Sequence, residues 1–389
     1  MDDLLELTTR LRRTIHQNPE LGLGNPRTQE LILSTLGELP YDLSTGKDCT
    51  SVTAVLRTGR PGPVVLLRAD TDALPVPEQT GLDFAATNGA MHACGHDLHV
   101  AMLLGAAHLL ADARDRLSGE VVLAFQPGEE GYDGAGVMLS EGLLDAASAK
   151  PSATYALHVT SSLLPSGLVT ARGGTQMSAA DRMHVTVRGV GGHGSMPMRA
   201  RDPLLAATDM VSALEVAVTR EFDIWDPVVV TTGQLHGGVA HNVISDTAWF
   251  ETTIRSYSVA AQERLMEVLP RVCRGIALAH GVEVDVDYEQ MYPPTINDHA
   301  AAERALAVAS EVVGPEQIMV LPNPSSGSED YSRFLNEVPG AMAFLGATPP
   351  GLDPGNAPYN HSPEADFDEA VMPVGARFFA AVTEHHLAT

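Results

Sequence analysis

Lysine is almost missing from this 389-residue chain: of 24 basic residues only Lys47 and Lys150 are lysine. With 49 acidic residues the formal net charge is −25. Such a charge disfavours nucleic acid and anionic membrane as partners, since like charges repel over about a Debye length. The lysine shortage itself reads as compositional bias, because charge bears on solubility more than on fold. Cysteine is scarce too. Cys49, Cys94 and Cys273 are odd in number and far apart, which argues against a disulfide framework. No apolar run approaches the roughly 18 residues of a membrane span. The opening Met1–Glu6 is acidic, unlike the basic start of a secretory signal, so a cytoplasmic location is expected. Low-complexity segments and repeats of 20–50 residues are lacking as well.

What remains is a globular composition, 44% hydrophobic, with length enough for two or three domains. A local grammar recurs. Short β-branched apolar runs are followed at once by residues able to do chemistry. Pro63–Leu67 leads into Arg68-Ala69-Asp70-Thr71-Asp72, and Glu120–Phe125 into Gln126-Pro127-Gly128-Glu129-Glu130. Thr154–Leu157 leads into His158, and Ala341–Leu345 precedes a Pro/Gly-rich loop carrying His361. Between the first two runs, Asp97–Arg114 has helical spacing and the length of a crossover. Strands alternating with helices predict an α/β domain with a mostly parallel, helix-covered sheet. Ligands bind beyond the carboxyl ends of such strands, where all four clusters fall.

The grammar changes between about 180 and 293. Arg182–Arg188, Val228–Gln234, Asp246–Arg255 and Val282–Tyr288 read as strands, separated by helices at about 202–219 and 258–280. These predict an α+β insert with an antiparallel sheet, 180–293, inside a discontinuous first domain of 1–179 and 294–389.

The densest chemistry is Met91-His92-Ala93-Cys94-Gly95-His96-Asp97-Leu98-His99. A lone His or Cys is usually a packed residue, but four within eight positions before a helix point to a metal site. Thiolate and imidazole suit zinc, nickel, cobalt or manganese, and Gly95 permits a tight turn. Asp97 reads either as a cap of the following helix or as a support behind the site. The pair Glu129-Glu130, flanked by Pro127, Gly128 and Gly131, suits a division of labour in which one carboxylate holds a metal and the other moves a proton. His158 and His361 are weak signals individually and complete a ligand set drawn from different strand ends.

Taken in order, Arg68–Pro75, Met91–His99, Phe125–Glu130, Gly191-Gly192-His193-Gly194-Ser195, Asn242-Val243-Ile244 and His361-Ser362-Pro363 resemble the M20 metallopeptidase family. The likeness is greatest to its amidohydrolase branch of hippurate hydrolases, aminoacylases and auxin–amino-acid conjugate hydrolases. It implies a catalytic domain interrupted by a lid domain that often mediates dimerisation. It implies two divalent metal ions (Mn, Zn, Co or Ni) held by Cys94, His96, Glu130, His158 and His361, with Cys94 bridging. Glu129 matches the general base and Asp72 the residue orienting the centre. His193, Asn242 and Arg255 match residues that polarise the scissile carbonyl and hold the substrate carboxylate, and Gly327 and Ser328 fall in a further matching motif, Gly327–Asp330. Most of the wider family has His in place of Asp70 and Asp in place of Cys94, and the Cys-Gly-His version belongs to the amidohydrolase branch, which argues against a true peptidase. Relatives often carry an aromatic where Glu364 stands, and alanine where Gly128 stands. The implied reaction is hydrolysis of N-acyl-amino acids by a metal-activated water. The alternatives are a dipeptidase, an N-acetyl-diaminopimelate-type deacetylase, or a non-catalytic metal-binding scaffold. A small-molecule substrate and a homodimer through the lid are the implied partners.

Overall fold

Four strands buried over nearly their whole length lie side by side: Glu120–Gln126, Val64–Asp70, Ala153–Thr160 and Gly340–Gly346, all parallel. The computed structural model describes residues 2–388. Near-continuous Val, Leu and Ala in these strands fits burial on both faces, which a helix-covered parallel sheet requires. Strands at the flanks make the eight-stranded sheet mixed. Tyr41–Thr45 and Val52–Arg57 pair antiparallel on one side, and Val169–Ala171 runs antiparallel to Gly340–Gly346 on the other. Ile318–Val320 closes that side, parallel to Val169–Ala171.

The helix expected over 97–114 spans His96–Ala113. It is apolar on nearly every side because it is buried on nearly every side, packed against the helices Asp2–His16 and Met372–Leu387 as well as the sheet. The contact with Met372–Leu387 is close enough that a Cβ on Gly375 would lie 2.0 Å from Met102 Sδ.

Contacts divide the chain into two units: one takes in the chain up to Gln176, Ile296–Asn323 and the chain from Asp330 onward, and the other Met177–Thr295 with Pro324–Glu329. The second unit has an antiparallel sheet in the order Val228–Gly237, Thr247–Ser256, Ala179–Arg188, Glu283–Tyr292. Helices Pro203–Glu221 and Val259–His280 cover one face, closing a core around Met183, Val185, Phe250, Ile254, Leu265 and Leu269. Asp202 and Ser258 cap these helices, accepting from Leu204 and Leu205 N–H and from Ala261 N–H, and Gly281 ends the second in a left-handed turn.

Asp97 does not cap its helix. It stands in the first turn, fully buried, and accepts from Arg12 Nε at 3.2 Å and His16 Nδ1 at 2.8 Å. Arg12 also donates to Phe367 O, and the other His16 nitrogen meets Glu78 at 3.2 Å. Burial opposes a charged His16 ring, but Asp97 and Glu78 outweigh it and push its pKa up to about 9. The same network holds Asp97 well below the usual carboxylate range against its own burial. Because His16 is raised above its unfolded value near 6.5, its contribution is complete below about pH 6.5 and fades as pH rises through 9. Urea unfolding at pH 6.5 and pH 10 is expected to show that decline. At the lower pH, Arg12→Met should cost about 3–5 kcal/mol, as a broken buried pair does. Arg13→Met, which removes a surface pair with Glu369, should cost less than about 1 kcal/mol. Equal costs would overturn the assignment of Arg12 as the buried anchor.

Candidate metal centre

The centre is built where the four parallel strands end. Gly95 turns the chain at φ +83°, so that Cys94 and His96 flank the start of the buried helix. A side chain at position 95 would strike Val159, its Cβ falling 2.4 Å from Cγ2. His96 Nδ1 donates to the Asp72 carbonyl at 2.8 Å, and its Nε2 is buried without a hydrogen-bond partner. His158 Nδ1 donates to Val159 O at 2.8 Å, and its Nε2 lies 3.5 Å from Cys94 Sγ. With each Nδ1 engaged by a carbonyl, Nε2 is the nitrogen each ring has left for a metal, the arrangement a metal-ligating imidazole needs. His361 Nε2 stands 3.3 Å from Cys94 Sγ and 3.2 Å from Glu130 Oε1.

Ligand atoms of Cys94, His96 and His158 lie within 4.8 Å of one another, as do those of Cys94, Glu130 and His361. The two trios share Cys94. His96, Glu129 and Glu130 form a third such group. The donor set of thiol, imidazoles and carboxylate, with an orphaned His96 Nε2 at its middle, fits a borderline-soft divalent ion. Hydrogen bonding to Cys94 and Glu130 pushes His361 up to about 10, whereas burial and the neighbouring rings push His158 well below the usual imidazole range.

Asp72 organises the glutamate pair. Its two carboxylate oxygens accept the main-chain N–H groups of Glu129 and Glu130, each at 3.0 Å. Glu129 is buried, and Glu130 is half-buried. Beside them lies a polar network in which sequence reasoning singles out His99, as part of the metal cluster, and Asp330, in a matching motif. Asp70 accepts from Arg68 at 2.7 Å and from His99 Nδ1 at 2.5 Å. Burial alone would raise the Asp70 carboxyl, but Arg68, His96 and His99 outweigh it and hold it well below the usual range. His99 Nε2 accepts from Val159 N–H at 2.9 Å, so both its nitrogens are engaged. Arg68 and Gln126 also reach Asp330, at 2.9 Å and 2.7 Å. The density of His99, Asp70 and Arg68 around the two motifs was the available signal.

The remaining expected site residues lie in the second unit. His193 pairs with Val243 in a two-stranded ribbon, and Gly194 N donates to Asn242 O at 2.8 Å, which keeps His193 and Asn242 adjacent. His193 Nδ1 accepts from Ser195 N at 3.1 Å, leaving Nε2 as the outward nitrogen. Arg255 is half-buried and donates to Thr253 Oγ1 and Ile254 O, both at 2.9 Å. Gly327 O accepts from Ser178 N at 2.9 Å, and Ser328 is half-buried beside it.

The sequence pattern of Peptidase family M20/M25/M40 matches residues 66–385. The chain is 36% identical over 371 residues to Thermostable carboxypeptidase 1 of Saccharolobus solfataricus, covering 94% of this chain and 92% of that one. It is 34% identical over 391 residues to IAA-amino acid hydrolase ILR1-like 4 of Arabidopsis thaliana, covering 99% and 87%. Among solved structures, the Bacillus subtilis YXEP protein, described as a dinuclear metal-binding peptidase, superposes with a TM-score of 0.81 at 29% identity, covering 98% of each chain.

Asp72→Ala would leave two main-chain N–H groups without their acceptor and release the glutamate turn. We expect kcat to fall roughly ten- to a hundredfold, the usual effect of removing a residue that orients a metal centre. Steady-state kinetics check this, and an unchanged kcat would remove Asp72 from the site.

Proposed function

The chain belongs to peptidase family M20/M25/M40 and is a metal-dependent amidohydrolase, and from that premise we propose that it hydrolyses the amide bond of N-acyl-amino acids. The observation that carries the reading is the pairing of Glu129 and Glu130 on one carboxylate, Asp72, beside the inward nitrogens of His96 and His158. Such a pair can separate metal holding from proton transfer. In this reading Cys94, His96, Glu130, His158 and His361 would hold two divalent ions, with Cys94 shared. Ions bound there supply Lewis acidity, which lowers the pKa of water from 15.7 towards about 7.

Glu129 takes the proton of the attacking water and returns it to the leaving amine, the task of a general base turned general acid. His193, with Nδ1 engaged by Ser195, presents Nε2–H to the carbonyl oxygen as negative charge develops there. Asn242 and Arg255 hold the substrate carboxylate, with Gly327 and Ser328 beside the bound acid. Residues 180–293 serve as the lid of the discontinuous catalytic domain. One relative's name specifies an amino-acid conjugate and another's a carboxypeptidase. Both kinds of substrate place a free carboxylate next to the scissile amide, so dipeptides are the second class to assay.

The proposed partner is a second copy of the chain, joined through the second unit. Its two sheet edges differ. Glu283–Tyr292 carries Glu283, Asp285, Asp287 and Glu289, charges that blunt edge pairing. The opposite edge, Val228–Gly237, has no Asp, Glu, Lys or Arg and exposes Val229 and Leu235. An isologous pairing of that edge around a two-fold axis buries both.

Free-amine release from hippurate and acetyl-amino acids tests the function. Glu129→Gln should lower kcat about a hundredfold or more with metal content unchanged, whereas Glu130→Gln should lose metal. Swapped phenotypes would reverse the two roles. Amidating the substrate carboxylate should cost roughly ten- to a hundredfold in kcat/KM, since a charge-assisted hydrogen bond contributes about 1.5–3 kcal/mol. Equal rates on acid and amide would remove Arg255 and Asn242 from substrate binding.

Light scattering should give about twice the 41.2 kDa chain mass. Val229→Glu, which puts a charge on the apolar part of that edge as the acidic residues do on the other, should give monomers. A dimer that survives it excludes this edge.

A further inference from the structure

Asn360, the residue before His361, was not among the expected site residues, yet one amide there meets three ligand-bearing segments. Its Nδ2 donates to Val159 O at 3.1 Å and Cys94 O at 3.3 Å, and lies 3.8 Å from Cys94 Sγ. Its Oδ1 accepts from Ser161 N at 2.9 Å. The amide's orientation follows from its neighbours. Two carbonyls can take only an N–H, and the Ser161 N–H requires an oxygen. The amide therefore joins the Cys94 turn, the strand end just past His158, and the His361 loop. His361 itself sits at φ +75°, a region that non-glycine residues rarely occupy. Its N–H donates to Ala93 O at 2.9 Å, so its backbone is fixed from the Cys94 turn as well.

We propose that Asn360 is a positioning residue that tunes the Cys94 sulfur as a metal donor and holds His361 against it, an inference that rests on the metal-centre reading above. An N–H directed at a thiolate draws electron density from sulfur, and hydrogen bonds to sulfur are an established means of tuning metal–thiolate centres. Removing it raises the energy of the sulfur donor electrons. Sulfur-to-metal charge transfer then moves to longer wavelength, and the loosened Cys94 and His361 hold the ion less tightly.

The test loads cobalt(II) into the full chain, its Asn360→Ala and its Asn360→Asp variants. It records the sulfur-to-cobalt absorption band and measures cobalt affinity by competition with a chelator. We expect the band to move to longer wavelength in both variants and the dissociation constant to rise about ten- to a hundredfold, as loss of a residue supporting metal ligands typically does. Absence of the band in the unaltered chain would sink the assignment of Cys94 as a ligand. A band that is present and stays in place in the variants, with affinity unchanged, overturns the role of Asn360 alone, even if the melting temperature falls. Should neither variant fold, Ser161→Ala, which removes the hydroxyl 3.1 Å from Asn360 Oδ1, is read in the same way. Some loss of affinity is expected, and none overturns the proposal.

Discussion

Asp72 is the residue on which the geometry of the centre turns. Its carboxylate receives the main-chain N–H groups of Glu129 and Glu130, and its carbonyl receives His96 Nδ1–H. A single residue, two positions past the end of a central strand, thus fixes the glutamate turn following a neighbouring strand and the first ring of the buried helix. This is possible because Val64–Asp70 and Glu120–Gln126 run parallel in register, so their carboxyl ends emerge together. An antiparallel pairing would have sent Glu129 and Glu130 to the opposite edge of the sheet.

Around that node, charge is buried only in company. Arg68 stands between Asp70 and Asp330, and Arg12 and His16 meet on one oxygen of Asp97. Each carboxylate has a cation or several donors in contact, which is the condition for burying it at tolerable cost. The two groups have different duties. Arg68 and its partners form the floor of the metal centre through His99 and Val159. Arg12 and His16 anchor the first helix to the first turn of the central one.

Much of this was legible in the sequence, for a definite reason. Parallel strands with both faces covered are apolar over most of their length, so the polar residues toward their carboxyl ends, Arg68, Asp70, Gln126 and His158, and Asp72 and Glu129 just beyond, are conspicuous. The helix predicted over 97–114 spans 96–113, and the antiparallel sheet of the insert lies on the segments whose alternation indicated it. Illegible were the partnerships. Asp97 gives the same local signal whether it caps a helix or faces Arg12, since Arg12 is 85 residues away. Asn360 lies in a loop rich in Pro, Gly and Asn, where an asparagine is unremarkable until the Cys94 turn is brought to it. The antiparallel flank of the main sheet was hidden for a similar reason: strand pairing is decided by long-range contacts that alternation does not encode.

The order of the central strands has a consequence for synthesis. Ala153–Thr160 and Gly340–Gly346 are neighbours in the sheet, yet the second unit lies between them in sequence. Strand pairing across so long a separation is entropically expensive and slow to form. As the chain leaves the ribosome, Cys94, His96, Glu130 and His158 emerge long before His361, and the sheet's fourth parallel strand is equally late. A chain stopped anywhere in the insert therefore carries an open sheet edge and lacks His361. Closure of the proposed centre thus waits for the segment that carries His361, which is made only after the whole insert.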